Sequence, residues 1–198
     1  MCIRDRSVIE NLHDKFSKRI INLRKERLKI LNSILSQNEA NPVDLLIKNN
    51  YDNEWTLDVP KQLLIPGIEI SGPSSQTSMF INGLNPNMEG FRADGDLDDN
   101  EDASGHSLKD SVQSANNRKG AVMGNLEYFD EVKNKKYSLE PGKIPFFMHR
   151  ERGILLDEYD YLIDGKPAHA SILDTVLTLM HCGCLLYTSD AADEEDSV

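Results

Sequence analysis

Between residues 8 and 35 apolar side chains recur mostly three or four positions apart: Val8, Ile9, Leu12, Phe16, Ile20, Leu23, Ile30, Leu31, Ile34 and Leu35. That period predicts one long amphipathic helix with a single apolar stripe. The opposite face carries Lys15, Lys18, Arg19, Arg24, Lys25, Arg27 and Lys29, interrupted by Glu10, Asp14 and Glu26. Mixed signs predict a solvated face rather than a nucleic-acid or membrane surface. Asn41-Pro42 punctuates the chain, a second helix is predicted over 43–48, and 55–66 reads as an irregular connector with Pro60 and Pro66.

Beyond residue 67 the rhythm changes to short strands, loops and helices. Ile68-Glu69-Ile70-Ser71 alternates and stops at Gly72-Pro73, a strand and its turn. Met79 to Leu84 predicts a helix, and 90–94 a second strand leading into the acidic loop Asp94-Gly95-Asp96-Leu97-Asp98-Asp99-Asn100-Glu101-Asp102. A helix is predicted over 108–118, and a hairpin around Lys133-Asn134-Lys135. Five apolar residues over 144–148 predict a buried parallel strand, Asp164-Gly165 a turn, and 171–181 a last helix. The alternation favours an α/β fold with parallel strands over a sandwich.

The candidate chemistry lies where the 144–148 strand runs into His149-Arg150-Glu151-Arg152-Gly153. A guanidinium at the carboxyl end of a parallel strand stands where α/β barrels keep their active sites. Arg150 is the candidate catalytic residue, a planar donor fork for an anion or a developing oxyanion. The structural alternative pairs it with Glu151, Asp157 or Glu158. His149, one position earlier, is expected on the other face of the sheet. No metal site is assigned. The five histidines lack ligand spacing, and the acidic loop fails the calcium-loop pattern, with Asp99 at position six and Gly105 at twelve. A solvated acidic loop is the expectation there. There is no phosphate loop, no dinucleotide fingerprint and no Ser–His–Asp arrangement.

The two ends change how composition is used. Met1-Cys2-Ile3-Arg4-Asp5-Arg6 and Cys184-Leu185-Leu186-Tyr187-Thr188-Ser189 can be back-translated as reverse complements of one another, and the shared sequence looks like a transposase adapter from sequencing libraries. Residues 1–6 and 184–198 are therefore expected to be artefacts, flanking an amino-terminal helical region and connector (7–66) and a strand-rich region (67–183). The formal charge of −11 stays acidic when those ends are set aside, a poor match for nucleic acid. Cys182 then remains alone, offering no disulfide or thiolate metal site. No stretch has the apolar length of a membrane span.

Several segments together resemble the malate synthase family. Glu54-Trp55-Thr56-Leu57-Asp58-Val59-Pro60 and Gly67-Ile68-Glu69-Ile70-Ser71-Gly72-Pro73 resemble its connector and first barrel strand. Met79-Phe80-Ile81-Asn82-Gly83-Leu84-Asn85 is similar to its Met-Val-Ile-Asn-Ala-Leu-Asn, and Phe91-Arg92-Ala93-Asp94 to its Phe-Met-Ala-Asp. Leu108-Lys109-Asp110-Ser111-Val112, Arg150-Glu151-Arg152-Gly153 and Asp164-Gly165-Lys166-Pro167 follow in the family's order. The family's Asp-Phe-Glu-Asp stands here as Asp94-Gly95-Asp96-Leu97, and its Gly-Trp-His-Leu as Gly153-Ile154-Leu155-Leu156.

The resemblance implies an amino-terminal helical region followed by the first strands of an incomplete TIM (β/α)8 barrel. It implies condensation of acetyl-CoA with glyoxylate to malate and free CoA, with Mg²⁺ as cofactor and its ligands beyond Gly183. In the family an aspartate removes a methyl proton and an arginine stabilises the enolate; by position that arginine is Arg150. A cytoplasmic enzyme of the glyoxylate cycle is expected, and this segment alone is expected to be inactive. The altered loops keep two alternatives open: a related metal-dependent CoA-thioester lyase or aldolase, and a non-catalytic scaffold.

Overall fold

A computed structural model describes residues 2–37, 58, 59, 61–64 and 67–183. The predicted helix over 43–48 and most of the connector lie outside the described residues, as do residues 184–198. The chain divides into two compact units, Met1–Asp14 with Gly67–Val198, and Lys15–Pro66.

The predicted long helix is α1, Ile3–Gln37, which crosses the boundary between the units. Among the described residues of the second unit a 3-10 turn, Lys61–Leu64, comes after it in the chain. Ile20 is buried there, whereas Leu23, Ile30, Leu31 and Leu35 remain exposed along the predicted stripe. In the first unit Ile9 is fully buried, with Val8 and Leu12 packed beside it. Residues Ile3 to Arg6, set aside in the sequence reading, form the first turn of α1. Asp5 is buried and accepts hydrogen bonds from the Cys2 amide at 2.6 Å and His181 Nε2 at 3.1 Å.

The first unit is built on a three-stranded parallel sheet of β1 (Glu69–Gly72), β2 (Gly95–Asp99) and β5 (Phe146–Arg150), with β2 in the centre. Helix α2 (Thr77–Leu84) follows β1, and α3 (Leu108–Val122) follows β2. Ser107 caps α3, its hydroxyl accepting the Asp110 amide while donating to the Asp110 carboxylate. The hairpin β3–β4 (Glu127–Asp130 and Lys135–Ser138) forms as predicted, with Asn134 at φ 47° in its turn. A second hairpin, β6–β7 (Asp157–Ile163 and Lys166–His169), turns on Asp164 and Gly165 at φ 49° and 73°. Two successive left-handed residues match the twist of paired strands, which is why Asp-Gly is favoured there. Helix α4 (Ala170–Thr178) ends in a π-type turn, Leu179–Gly183.

Two apolar clusters hold these elements. One gathers Phe80, Ile81, Leu84, Ala121, Leu126 and Tyr137 around α2 and the first hairpin. The other gathers Ile9, Ala115, Ile163, Ala168, Leu173, Val176 and Leu177.

The second predicted strand is displaced. Residues 90–94 lie outside it, and the strand occupies Gly95–Asp99, the segment read as a solvated acidic loop. Asp96, Asp98 and Asp99 are buried on it. Aspartate is a poor strand former, but here specific cationic and amide partners outweigh that preference. The last strand is likewise shifted, to Phe146–Arg150, so that Arg150 lies within the sheet rather than just beyond it.

Candidate functional site at the carboxyl end of the parallel sheet

In the β2–β5 register Asp98 lies opposite His149 and Asp99 opposite Arg150. Successive strand residues face opposite sides, so these two pairs belong to opposite faces of the sheet, as expected for His149 and Arg150.

The Asp98 face is a closed polar layer against α3. Asp98 Oδ2 accepts Arg118 Nη1 at 2.6 Å and lies 2.9 Å from His149 Nδ1, while Oδ1 accepts the Ser74 amide at 3.1 Å. Arg118 also donates to Ser74 Oγ at 3.2 Å and Thr178 Oγ1 at 3.1 Å. Burial alone would raise the Asp98 carboxyl, but the His149 hydrogen bond and the Arg118 charge outweigh it and hold it below the usual range. Asp96, two residues earlier on the same face, lacks such help. It is 4% exposed, and its Oδ2 has no hydrogen-bond partner among the described residues. Burial, reinforced by the neighbouring Asp98 charge, pushes its carboxyl up to about 6. It borders a cavity of about 100 Å³ lined also by Ile70, Ser71, Gly72, Pro73, Met79, Phe80 and Gly83.

The Arg150 face is different. Arg150 Nε donates to Asp99 Oδ1 at 2.9 Å and Nη2 to Asp99 Oδ2 at 2.5 Å, a two-point fork. Asp99 Oδ1 also accepts the backbone amides of Glu101 at 3.0 Å and Asp102 at 3.1 Å, fixing the carboxylate from the loop side. Nη2 donates again to Asp102 Oδ2 at 2.5 Å. The bond from Arg150 holds the Asp99 carboxyl below its ordinary value, and that bond raises the guanidinium. Among the described residues none accepts a hydrogen bond from Nη1.

The neighbouring arginine is saturated. Arg152 is 2% exposed. It donates Nε and Nη2 to Asp174 at 2.9 and 2.8 Å, Nη1 to Glu158 at 2.9 Å, and Nη2 to Ser111 Oγ at 2.8 Å. Burial would lower its proton affinity, but the Asp174 and Glu158 carboxylates raise it. Arg152 thus clamps the end of β5 to α4, β6 and α3. Arg150, with a side chain 41% exposed, keeps a donor edge open.

Of the carboxylates that sequence proximity offered to Arg150, Glu158 is taken by Arg152 and Asp157 lies 3.1 Å from His169. The actual partners, Asp99 and Asp102, are 51 and 48 residues away, in the stretch expected to be a solvated loop. The usable signal was the two-residue alternation Asp96-Leu97-Asp98 inside the acidic run. Among the described residues no group of three or more His, Cys, Asp or Glu is arranged to hold a metal. No described helix is long and apolar enough to cross a membrane.

No family model matches the chain. It is 34% identical over 131 residues to the glyoxysomal malate synthase of Cucumis sativus, covering 66% of this chain and 22% of that protein. To that of Brassica napus it is 35% identical over 131 residues, with the same coverage. To that of Ricinus communis it is 31% identical over 177 residues, covering 87% of this chain and 30% of the relative. The chain therefore spans less than a third of the length of these curated relatives and is similar to malate synthases over most of its own.

Proposed function

We propose that this chain is part of a malate synthase, contributing the helical region and first strands of a TIM barrel to an enzyme that condenses acetyl-CoA with glyoxylate. The observation that carries this reading is the 31% identity to a malate synthase over 177 residues, 87% of the chain. The sheet supports it: three parallel strands end together, with Arg150 at the carboxyl end of β5 beside Asp99 at that of β2. In this reading Mg²⁺ would be held by ligands outside the segment and would supply Lewis-acid polarisation of the aldehyde.

The segment's own contribution is electrostatic. Removing a methyl proton from a thioester moves negative charge onto its carbonyl oxygen. A guanidinium fixed beforehand by Asp99 meets that oxygen without reorganising, and it does not surrender its own proton. Asp99 orients the planar fork and is a positioning residue; Arg150 is the catalytic one. Arg152 and Arg118 are occupied in holding the sheet to its helices, and His149 pairs with Asp98 on the adjacent strand. The segment alone is inactive in this reading, because the metal ligands and the base lie elsewhere.

The test is to recover the full-length reading frame and assay the purified protein with acetyl-CoA, glyoxylate and Mg²⁺. Glyoxylate-dependent thiol release, falling by orders of magnitude in Arg150→Ala, is the expected result. A folded full-length protein that releases no thiol refutes the reading.

A further inference from the structure

The two carboxylates on Arg150 are not equivalent. Asp99 sits on the central strand with its side chain 5% exposed, takes both Nε and Nη2, and is tied by two backbone amides. Asp102 lies beyond the strand, 72% exposed, and holds only Nη2. Its own backbone amide, not its carboxylate, anchors the turn, by donating to Asp99. Loss of the Asp102 ion pair therefore leaves both the loop geometry and the Asp99 fork intact.

A guanidinium has two double-donor edges. Asp99 occupies the Nε–Nη2 edge. The remaining edge consists of Nη1, which meets no described acceptor, and the second proton of Nη2, which Asp102 takes. An oxyanion that bridges Nη1 and Nη2 must displace that carboxylate. The geometry points to Asp102 as a displaceable occupant of the Arg150 donor edge, a built-in competitor for the oxygen that develops negative charge in the reaction. This deepens the proposed reading of Arg150 and rests on it.

Exposed ion pairs hold their partners weakly, so removing one relieves a small cost; in rate terms this is roughly two- to fivefold. In the full-length protein Asp102→Asn, which removes the competing charge but keeps the side-chain shape, is expected to raise kcat/KM for acetyl-CoA by roughly that factor. Arg150→Ala is measured in parallel. If Arg150→Ala collapses activity while Asp102→Asn lowers it or leaves it unchanged, the displacement idea fails and the reading of Arg150 stands. If Arg150→Ala retains activity, both fail.

A second readout needs no turnover. Phenylglyoxal, an arginine-directed dicarbonyl, is applied to the full-length protein without substrates, and modification at Arg150 is quantified by peptide mass. Asp102→Asn should speed that modification by roughly two- to fivefold, because the Nη1–Nη2 edge is uncovered. Equal rates would show that Asp102 does not guard the edge, and would overturn the proposal whatever the assay gives. A purely structural role for Asp102 predicts the opposite sign in turnover, together with a lowered unfolding midpoint.

Discussion

Replacing Asp96 by asparagine should stabilise the protein above pH 6 and leave progressively less difference as the pH falls. Asp96 is buried beside Asp98 with an unpartnered carboxylate oxygen, and its carboxyl is pushed from 3.8 to about 6. A carboxyl whose folded value is raised binds its proton more tightly in the folded state. The stability it contributes is fully present below the unfolded value near 3.8 and is lost as the pH rises through about 6. About 2 pKa units at about 1.4 kcal/mol each give an upper bound of about 3 kcal/mol, roughly 2 of which are recovered by pH 4. Water entering the adjoining cavity would hydrate the ionised form and reduce the figure. The measurement is urea unfolding of the wild-type chain and Asp96→Asn, followed by circular dichroism at pH 4, 5.5 and 7.5. Comparing the two proteins at each pH cancels the opposite acid sensitivity of Asp98 and Asp99, whose carboxyls are held low. An asparagine variant less stable than wild type at pH 7.5, or a difference that grows toward pH 4, would refute the argument.

Arg152→Met leaves Asp174 and Glu158 buried without their cation, and should cost about 3–5 kcal/mol in the same unfolding experiment. Arg150→Ala should lower the unfolding midpoint by less, since that side chain is half in solvent and the Asp99 carboxylate it leaves behind keeps the Glu101 and Asp102 amides. Gly165→Ala forces a side chain into the left-handed region at φ 73° and should cost about 1 kcal/mol, read as a lower midpoint. Cys182, buried and with its thiol pushed up by burial, should resist iodoacetamide in the folded chain while exposed Cys2 reacts, as peptide mass analysis would record.

Local pattern was enough where local physics decides the conformation. The three-to-four spacing over 8–35 found α1, and the turn residues Asn134 and Asp164-Gly165 located both hairpin turns. It failed where the conformation depends on partners far along the chain. Gly95–Asp99 has the composition of a solvated loop and becomes the central strand because Arg118 and Arg150 meet its aspartates. Strand β6 was missed for a similar reason: Asp157, Glu158 and Asp160 break its apolar pattern, and Glu158 is buried only because Arg152 reaches it. At the candidate site the position of Arg150 at the end of an apolar strand was legible. Which of the two arginines is clamped and which is open was not legible, since both sit among acidic residues in sequence.

The aspartates of β2 also bear on the chain before it folds. A central strand is ordinarily the most adhesive part of an α/β sequence, apolar on both faces and ready to pair with any exposed edge. Gly95-Asp96-Leu97-Asp98-Asp99 instead carries a charge at three of five positions. Two copies brought side by side would repel, and the segment lacks the low net charge that fibril-forming stretches require. The strand becomes an acceptable neighbour only when a guanidinium stands opposite it, so its pairing is specified by charge where most sheets rely on shape.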